Sequence, residues 1–269
     1  MITVKINKRE YWIKNEWKDL SIKDFQAVFA IRAQGEKPSI FHKLGILLQL
    51  SNLTKRLIKV FTPDQAHRLL NLVRFAWDAE LDYRPFSYFV ANGVRFYLPD
   101  TGYANTSAGE VAMFNIYNLE FLKTEDEQKK EALFYLIIAQ LCRPERKDLK
   151  AFKADVTGWN GDTREPYNSA RADEYAEQIK KGANLPGLMA VYAWLMKMNN
   201  DFLKRNEGLF VAGDGVPVFS GGEGWIALLE DVAGMGKFGD FDKVFDMNGP
   251  SLFLHVRMAQ KRAVAMDKG

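Results

Sequence analysis

Two stretches of this sequence impose the same local order on the chain, an alternating hairpin followed by a capped amphipathic helix. Residues 86–99 read FSYFVANGVRFYLP, two short apolar runs around Asn92-Gly93. That pair favours a type I′ turn, in which both central residues take positive φ. NTSAGEVAMFNIYNLEFL follows, where Ser107 and Glu110 have the spacing of a capping box and Val111 and Phe114 open an apolar face. Near the start, Ile2, Val4 and Ile6 alternate with Thr3, Lys5 and Asn7, and the pattern resumes at Tyr11 and Ile13 after Asn7-Lys8-Arg9. Ser21 with Asp24 then starts a helix that carries Phe25, Val28, Phe29 and Arg32. Asn7 aligns with Asn92, Tyr11 with Phe96, Ile13 with Leu98 and, with one residue of slack, Ser21 with Ser107. A hairpin-then-helix unit is thus used twice, about 86 residues apart, through shared pattern with little shared identity.

Helical spacing dominates the rest. Helices are predicted over 40–59 and 63–79, the second opened by Thr62-Pro63-Asp64-Gln65, and over 128–142, about 169–181 and 187–205. Leu188, Val191, Tyr192, Leu195, Met198 and Phe202 form one stripe, as core residues do. Residues 206–224, NEGLFVAGDGVPVFSGGEG, read as a Gly-rich linker with a short strand over Val216 to Phe219. A short helix in WIALLEDVA and a last helix over about 251–265 complete the chain. Strands do not alternate with helices as a parallel sheet requires. The expected fold is α+β and predominantly helical, with two small β-hairpin-plus-helix units followed by helical bundles. The domain plan is a mostly helical domain over 1–205 with units at about 1–80 and 86–205, the linker 206–224, and a C-terminal helical segment 225–269.

Composition narrows the function classes. Thirty-seven basic residues nearly balance 34 acidic ones, for a net charge of +3, without the bias typical of a dedicated nucleic-acid binder. The opening MITVKINKRE has no apolar core of a signal peptide, and the longest apolar run is too short to span a bilayer, which predicts a cytosolic protein without a membrane role. The single cysteine, Cys142, sits in an apolar run and is expected to be a small buried hydrophobe. Nineteen Phe, ten Tyr and six Trp would fill a core or anchor contacts with other subunits, including copies of the same chain.

One run has the look of chemistry. Gly234-Met235-Gly236-Lys237-Phe238-Gly239 is a literal G-x-G-x-x-G. A dinucleotide site needs a strand before it and a helix opening at its end. Here Trp225, Leu228, Leu229 and Val232 place a helix before it, so the glycines are expected to stop that helix at Gly234 or Gly236. The P-loop spacing fails because Asp240 and Phe241 stand where Lys and Ser/Thr are needed. His42, His67 and His255 are scattered, and Asp240, Asp242 and Asp246 read as helix-capping acids. No catalytic, cofactor-binding or metal-ligating residues are assigned. RPERKDLKAFK is the most basic segment, and Arg143, Arg146 and Lys147 are its candidate phosphate contacts. Trp225, Phe238, Phe241 and Phe245 are the candidate partner contacts.

The opening also resembles a group of tailed-bacteriophage morphogenesis proteins. Their β-hairpin leads through a Trp-x-x-Leu-Thr-x-x-x-Phe phrase into a helix, here Trp17-Lys18-Asp19-Leu20-Ser21-Ile22-Lys23-Asp24-Phe25. A second hairpin ending in Pro, here Asn92 to Pro99, a Ser107-Ala108-Gly109-Glu110 helix start and Ala139-Gln140-Leu141-Cys142-Arg143-Pro144 match further phrases. The resemblance covers about residues 1–205, and the Gly-rich run after it is a departure. It implies a non-enzymatic role in virion assembly in the host cytoplasm, foremost a tail assembly chaperone handling tape measure or tail tube protein. The alternatives are a structural component of the virion (connector, baseplate or capsid-associated subunit) and, behind it, a nucleic-acid-binding phage protein.

Overall fold

The computed structural model describes residues 1–34, 38–209 and 222–266. Strands β1 (Ile2–Ile6) and β2 (Arg9–Ile13) are followed by helices α1 (Ile22–Arg32), α2 (Ile40–Gln49), α3 (Lys55–Ile58), α4 (Pro63–Leu72) and α5 (Phe75–Asp78). Next come β3 (Tyr88–Ala91), β4 (Val94–Tyr97), α6 (Ala108–Lys123), α7 (Glu127–Leu141), the short β5 (Arg143–Pro144), α8 (Leu149–Ala154) and α9 (Ser169–Gly182). The chain continues through α10 (Leu185–Arg205), α11 (Gly224–Gly234), α12 (Phe241–Asp246) and α13 (Gly249–Met266). The fold is α+β and predominantly helical, with two small antiparallel sheets among the described residues.

The chain divides into two compact units. Unit 1 holds residues 1–87 and 184–197; unit 2 holds 88–183 and 198–269. The C-terminal helices α11, α12 and α13 pack on α6 inside unit 2. The linker expected over 206–224 lies mostly outside the described residues, as does the strand expected over Val216 to Phe219.

Each unit opens with the same device. In unit 1, Ile6 pairs with Arg9 across Asn7 and Lys8, whose φ values are 50° and 66°. In unit 2, Ala91 pairs with Val94 across Asn92 and Gly93, at 49° and 78°. Both turns have the double positive φ of type I′, whose twist suits the flanking strands. A 3₁₀ turn follows each hairpin, Trp17–Asp19 in one and Thr101–Tyr103 in the other. Then comes a reciprocal capping box, Ser21 with Asp24 on α1 and Ser107 with Glu110 on α6.

Two predicted helices are broken. The helix expected over 40–59 ends at Gln49 because the chain turns to run beside β2. There the Lys14 N–H donates to the Leu50 carbonyl at 2.8 Å, and the Trp12 N–H donates to Asn52 Oδ1 at 2.9 Å. Thr54 then caps the short α3 through the Leu57 N–H, at 3.2 Å. The helix expected over 63–79 tightens into three-residue turns between α4 and α5, where Val73 donates to the Leu70 carbonyl and Ala76 to that of Val73.

The core of unit 1 gathers on Trp17, which stacks on Phe25 at 6.0 Å and meets Phe75 edge-on at 4.9 Å. In unit 2, Tyr103, Phe202, Phe253 and Trp225 form a chain of edge-to-face contacts. Burying a Phe-sized side chain contributes about 1.5–3 kcal/mol, so these clusters anchor their helices more strongly than the two short sheets do.

Candidate functional site

The densest polar constellation of unit 2 surrounds the start of α6. The capping box draws the Glu110 side chain back over the helix N-terminus, where its Oε2 accepts the Ser107 N–H at 3.2 Å. α7 ends at Leu141 and Cys142 caps it, which delivers Arg143 to the same place. Arg143 is 2 % exposed and forms an ion pair with Glu110 through Nη1. Its Nε donates to the Glu165 carbonyl at 2.8 Å. Arg164, 1 % exposed, reaches in from the segment before α9. It donates to Asp162 Oδ1 at 2.8 Å, the Leu141 carbonyl at 2.5 Å and the Asn105 carbonyl at 2.7 Å. Two guanidiniums thus face two carboxylates, and the cluster is neutral. Burial lowers the proton affinity of Arg143, and the like charge of Arg164 adds to this while Glu110 opposes it. For Arg164 burial acts in the same sense, but Glu110 and Asp162 outweigh it and the net shift is upward.

The groups around this cluster are held in their neutral forms. Burial pushes the Tyr167 phenol up, and its hydroxyl donates to Gln140 Oε1 at 2.6 Å. The Tyr175 phenol is also raised, by burial and by donating to Glu165. Cys142 is fully buried, which pushes its thiol up to about 12. These side chains act at neutral pH as donors or as packing, not as bases or thiolates. A cavity of about 410 Å³ opens over the cluster beside Thr106, Arg146, Asn160, Tyr167, Asp246 and Asn248. Thr106 Oγ1 is buried there without a hydrogen-bond partner.

Two of the three candidate phosphate contacts, Arg143 and Arg146, line this cavity. Arg143 is neutralised inside the cluster. Arg146 binds Asp148 through two contacts of 2.9 Å and lies 3.5 Å over the Phe152 ring. Lys147 is exposed. Sequence spacing registers the charges of this segment, but its acidic partners Glu110 and Asp162 lie far away along the chain.

The four candidate partner contacts are half-buried, each with a ring against an internal neighbour. Trp225 meets Phe253 at 5.9 Å, Phe238 meets His255 at 5.7 Å and Phe241 meets Phe245 at 5.7 Å. Phe245 also lies against Tyr167, at 5.9 Å, and over Gly109, where a Cβ would enter its ring. Among the described residues of these C-terminal elements, the most exposed large apolar side chains are instead Met235, Leu254 and Met258. Leu254 and Met258 are four residues apart on α13, a spacing that a search confined to aromatics passes over.

The G-x-G-x-x-G run is a helix stop and a helix start. α11 runs through Gly234, Gly236 takes φ 68°, and Asp240 caps α12 by accepting the Lys243 N–H at 3.1 Å. Asp246 is raised by partial burial and by the charge of Asp242. Among the described residues, no group of three His, Cys, Asp or Glu side chains is placed to hold a metal ion. His42 serves in a capping box, its Nδ1 accepting the Ser39 N–H at 3.3 Å. No helix among the described residues is long and apolar enough to cross a membrane. Compared with known proteins, the chain matches no family model, no curated protein and no solved structure.

Proposed function

We propose that this chain is a non-enzymatic bacteriophage assembly protein, foremost a tail assembly chaperone that covers apolar surface of a tape measure or tail tube protein until the tail is built. The observation that carries this reading is the doubled hairpin, 3₁₀ turn and capped helix. The phrases that resemble phage morphogenesis proteins fall on those elements: Trp17 to Phe25 spans the aromatic stack and capping box of unit 1, and Ser107 to Glu110 is the capping box of unit 2. Two further features support it. The buried charges of unit 2 face one another, as a scaffold requires. Exposed Phe41 and Val60 on unit 1, and Met235, Leu254 and Met258 on unit 2, offer apolar surface to a client.

The test is co-expression with tail tube or tape measure protein from a tailed phage that carries this gene, followed by mass spectrometry of purified particles. A chaperone raises the soluble fraction of its client and is missing from the mature particle. Stoichiometric presence in the particle would favour the permanent structural component, and no effect on either client together with absence from particles would overturn an assembly role. DNA binding that weakens steeply with salt would revive the nucleic-acid reading.

A further inference from the structure

We propose that a cleft in unit 1 receives an arginine side chain presented by a partner protein. The cleft has a volume of about 390 Å³ and lies among the turn that carries Asn15 and Trp17, the Phe75 ring of α5 and the segment that carries Glu80, Asp82 and Tyr83. This inference rests on the assembly reading only in taking the occupant to belong to a partner protein; the chemistry of the cleft is independent of it.

The walls are aromatic. Trp17 is buried, and its indole N–H donates to the Glu80 carbonyl at 3.0 Å, so its hydrogen-bonding edge is engaged within the unit. Phe75 packs edge-on against it at 4.9 Å. Tyr83 is 47 % exposed, a large ring left in solvent at the cleft. Ring faces attract cations, most strongly where water is partly excluded.

The polar groups of the cleft are mostly acceptors. Glu16, Glu80 and Asp82 line it against a single cation, Lys18. Lys18 pairs with Glu16 at 2.6 Å, whereas Glu80 has only a loose contact with Lys197, at 3.8 Å. Asn15 Oδ1, an acceptor, is buried with no hydrogen-bond partner. A carboxylate or phosphate entering here would meet like charge. A guanidinium suits every part of the cleft: its flat face stacks on an aromatic ring, and its forked N–H groups serve carboxylates and an amide oxygen together. An ammonium would satisfy the charge without the stacking or the fork.

The experiment uses the full chain labelled with 3-fluorotyrosine, the Tyr83 resonance being assigned by its loss in Tyr83→Phe. N-acetyl-arginine amide, its lysine counterpart and the uncharged citrulline counterpart are titrated in turn. Arginine amide is expected to shift the Tyr83 signal saturably, with lysine weaker and citrulline nearly silent. Asp82→Asn and Glu80→Gln, both at exposed positions, should each weaken arginine binding about fivefold. The assignment is overturned if no saturable shift occurs, if citrulline matches arginine, or if both variants bind as tightly as the parent. These titrations need no phage partner. A missing response would leave the co-expression result standing, and a clear response beside a failed co-expression would separate the cleft from the assembly role.

Discussion

At the scale of single residues, one comparison recurs between the two units: a buried carboxylate at the third position of a capped helix. Asp24, 4 % exposed, accepts from Ser21, from Lys14 Nζ at 2.5 Å and from Gln49 Nε2 at 3.1 Å. Glu110, 2 % exposed, is held by Ser107, Arg143 and Arg164. Removing one member of a buried ionic cluster leaves uncompensated charge, so Glu110→Gln should cost about 3–5 kcal/mol in urea unfolding. Asp148→Asn, which breaks the exposed pair with Arg146, should cost under about 1 kcal/mol. Asp24 adds a pH signature. Burial alone would raise its pKa, but the hydrogen bonds from Lys14 and Ser21 outweigh burial, and the folded-state value falls below the ordinary 3.8. A group depressed on folding stabilises above its unfolded pKa and loses that contribution as pH falls through its folded one. Asp24→Asn should therefore lower stability at pH 7, and by progressively less as the pH falls below 3.8, which a series of unfolding curves at decreasing pH would check. The capping boxes were legible in the sequence, because Ser-x-x-Asp and Ser-x-x-Glu are local. The cations that close over them were not: Arg164 stands 54 positions from Glu110, and no short spacing encodes that encounter.

At the scale of elements, the hairpins repeat the geometry with different turn chemistry. Gly93 takes its positive φ freely, whereas Lys8 holds φ 66° with a side chain attached. Lys8→Gly should raise stability by about 0.5–1 kcal/mol, the relief of left-handed backbone outweighing the freedom glycine adds to the unfolded chain. A gain in thermal midpoint would support this, and a loss would show that the lysine is not strained there. The second hairpin is pinned from another direction. Gly182, at the end of α9, sits so close to Asn92 that a Cβ would run into the backbone nitrogen of the turn. Backbone cannot rotate aside as a flexible side chain can, so Gly182→Ala should cost about 1–3 kcal/mol. Amide exchange should then rise at the Asn92 turn before it rises in α7. The hairpins, the helix starts and the helix stop at Gly234 to Gly239 could be read from sequence because each depends on a few neighbouring residues. The breaks at Leu50 and Val73 could not. The apolar pattern runs on through both, and the first is set by pairing with β2, which belongs to a distant part of the chain.

At the scale of the whole molecule, α10 gives its residues to both units: 185–197 count with residues 1–87, and 198–205 with residues 88–183 and the C-terminal helices. The apolar stripe along α10 announces a core helix without saying which core each part enters, because Leu188, Leu195, Met198 and Phe202 follow one period throughout. The packing makes the distinction. Tyr103 and Phe253 meet Phe202 edge-on at 5.4 and 5.2 Å, and Asn199 exchanges side-chain hydrogen bonds with Asn115 of α6, at 2.8 and 3.2 Å. Its C-terminal part is thus tied to the same helix whose start carries the Glu110 cluster. Weakening that cluster should loosen the two parts of α10 unequally. In hydrogen exchange followed by mass spectrometry, Glu110→Gln should raise exchange in peptides covering 198–205 more than in peptides covering 185–197, and should leave α1 near its parental rate. Equal acceleration along α10 and α1 would mean that the units open together, and the division of this helix would then carry no energetic weight. Unequal acceleration would mean that each part of α10 opens with its own unit.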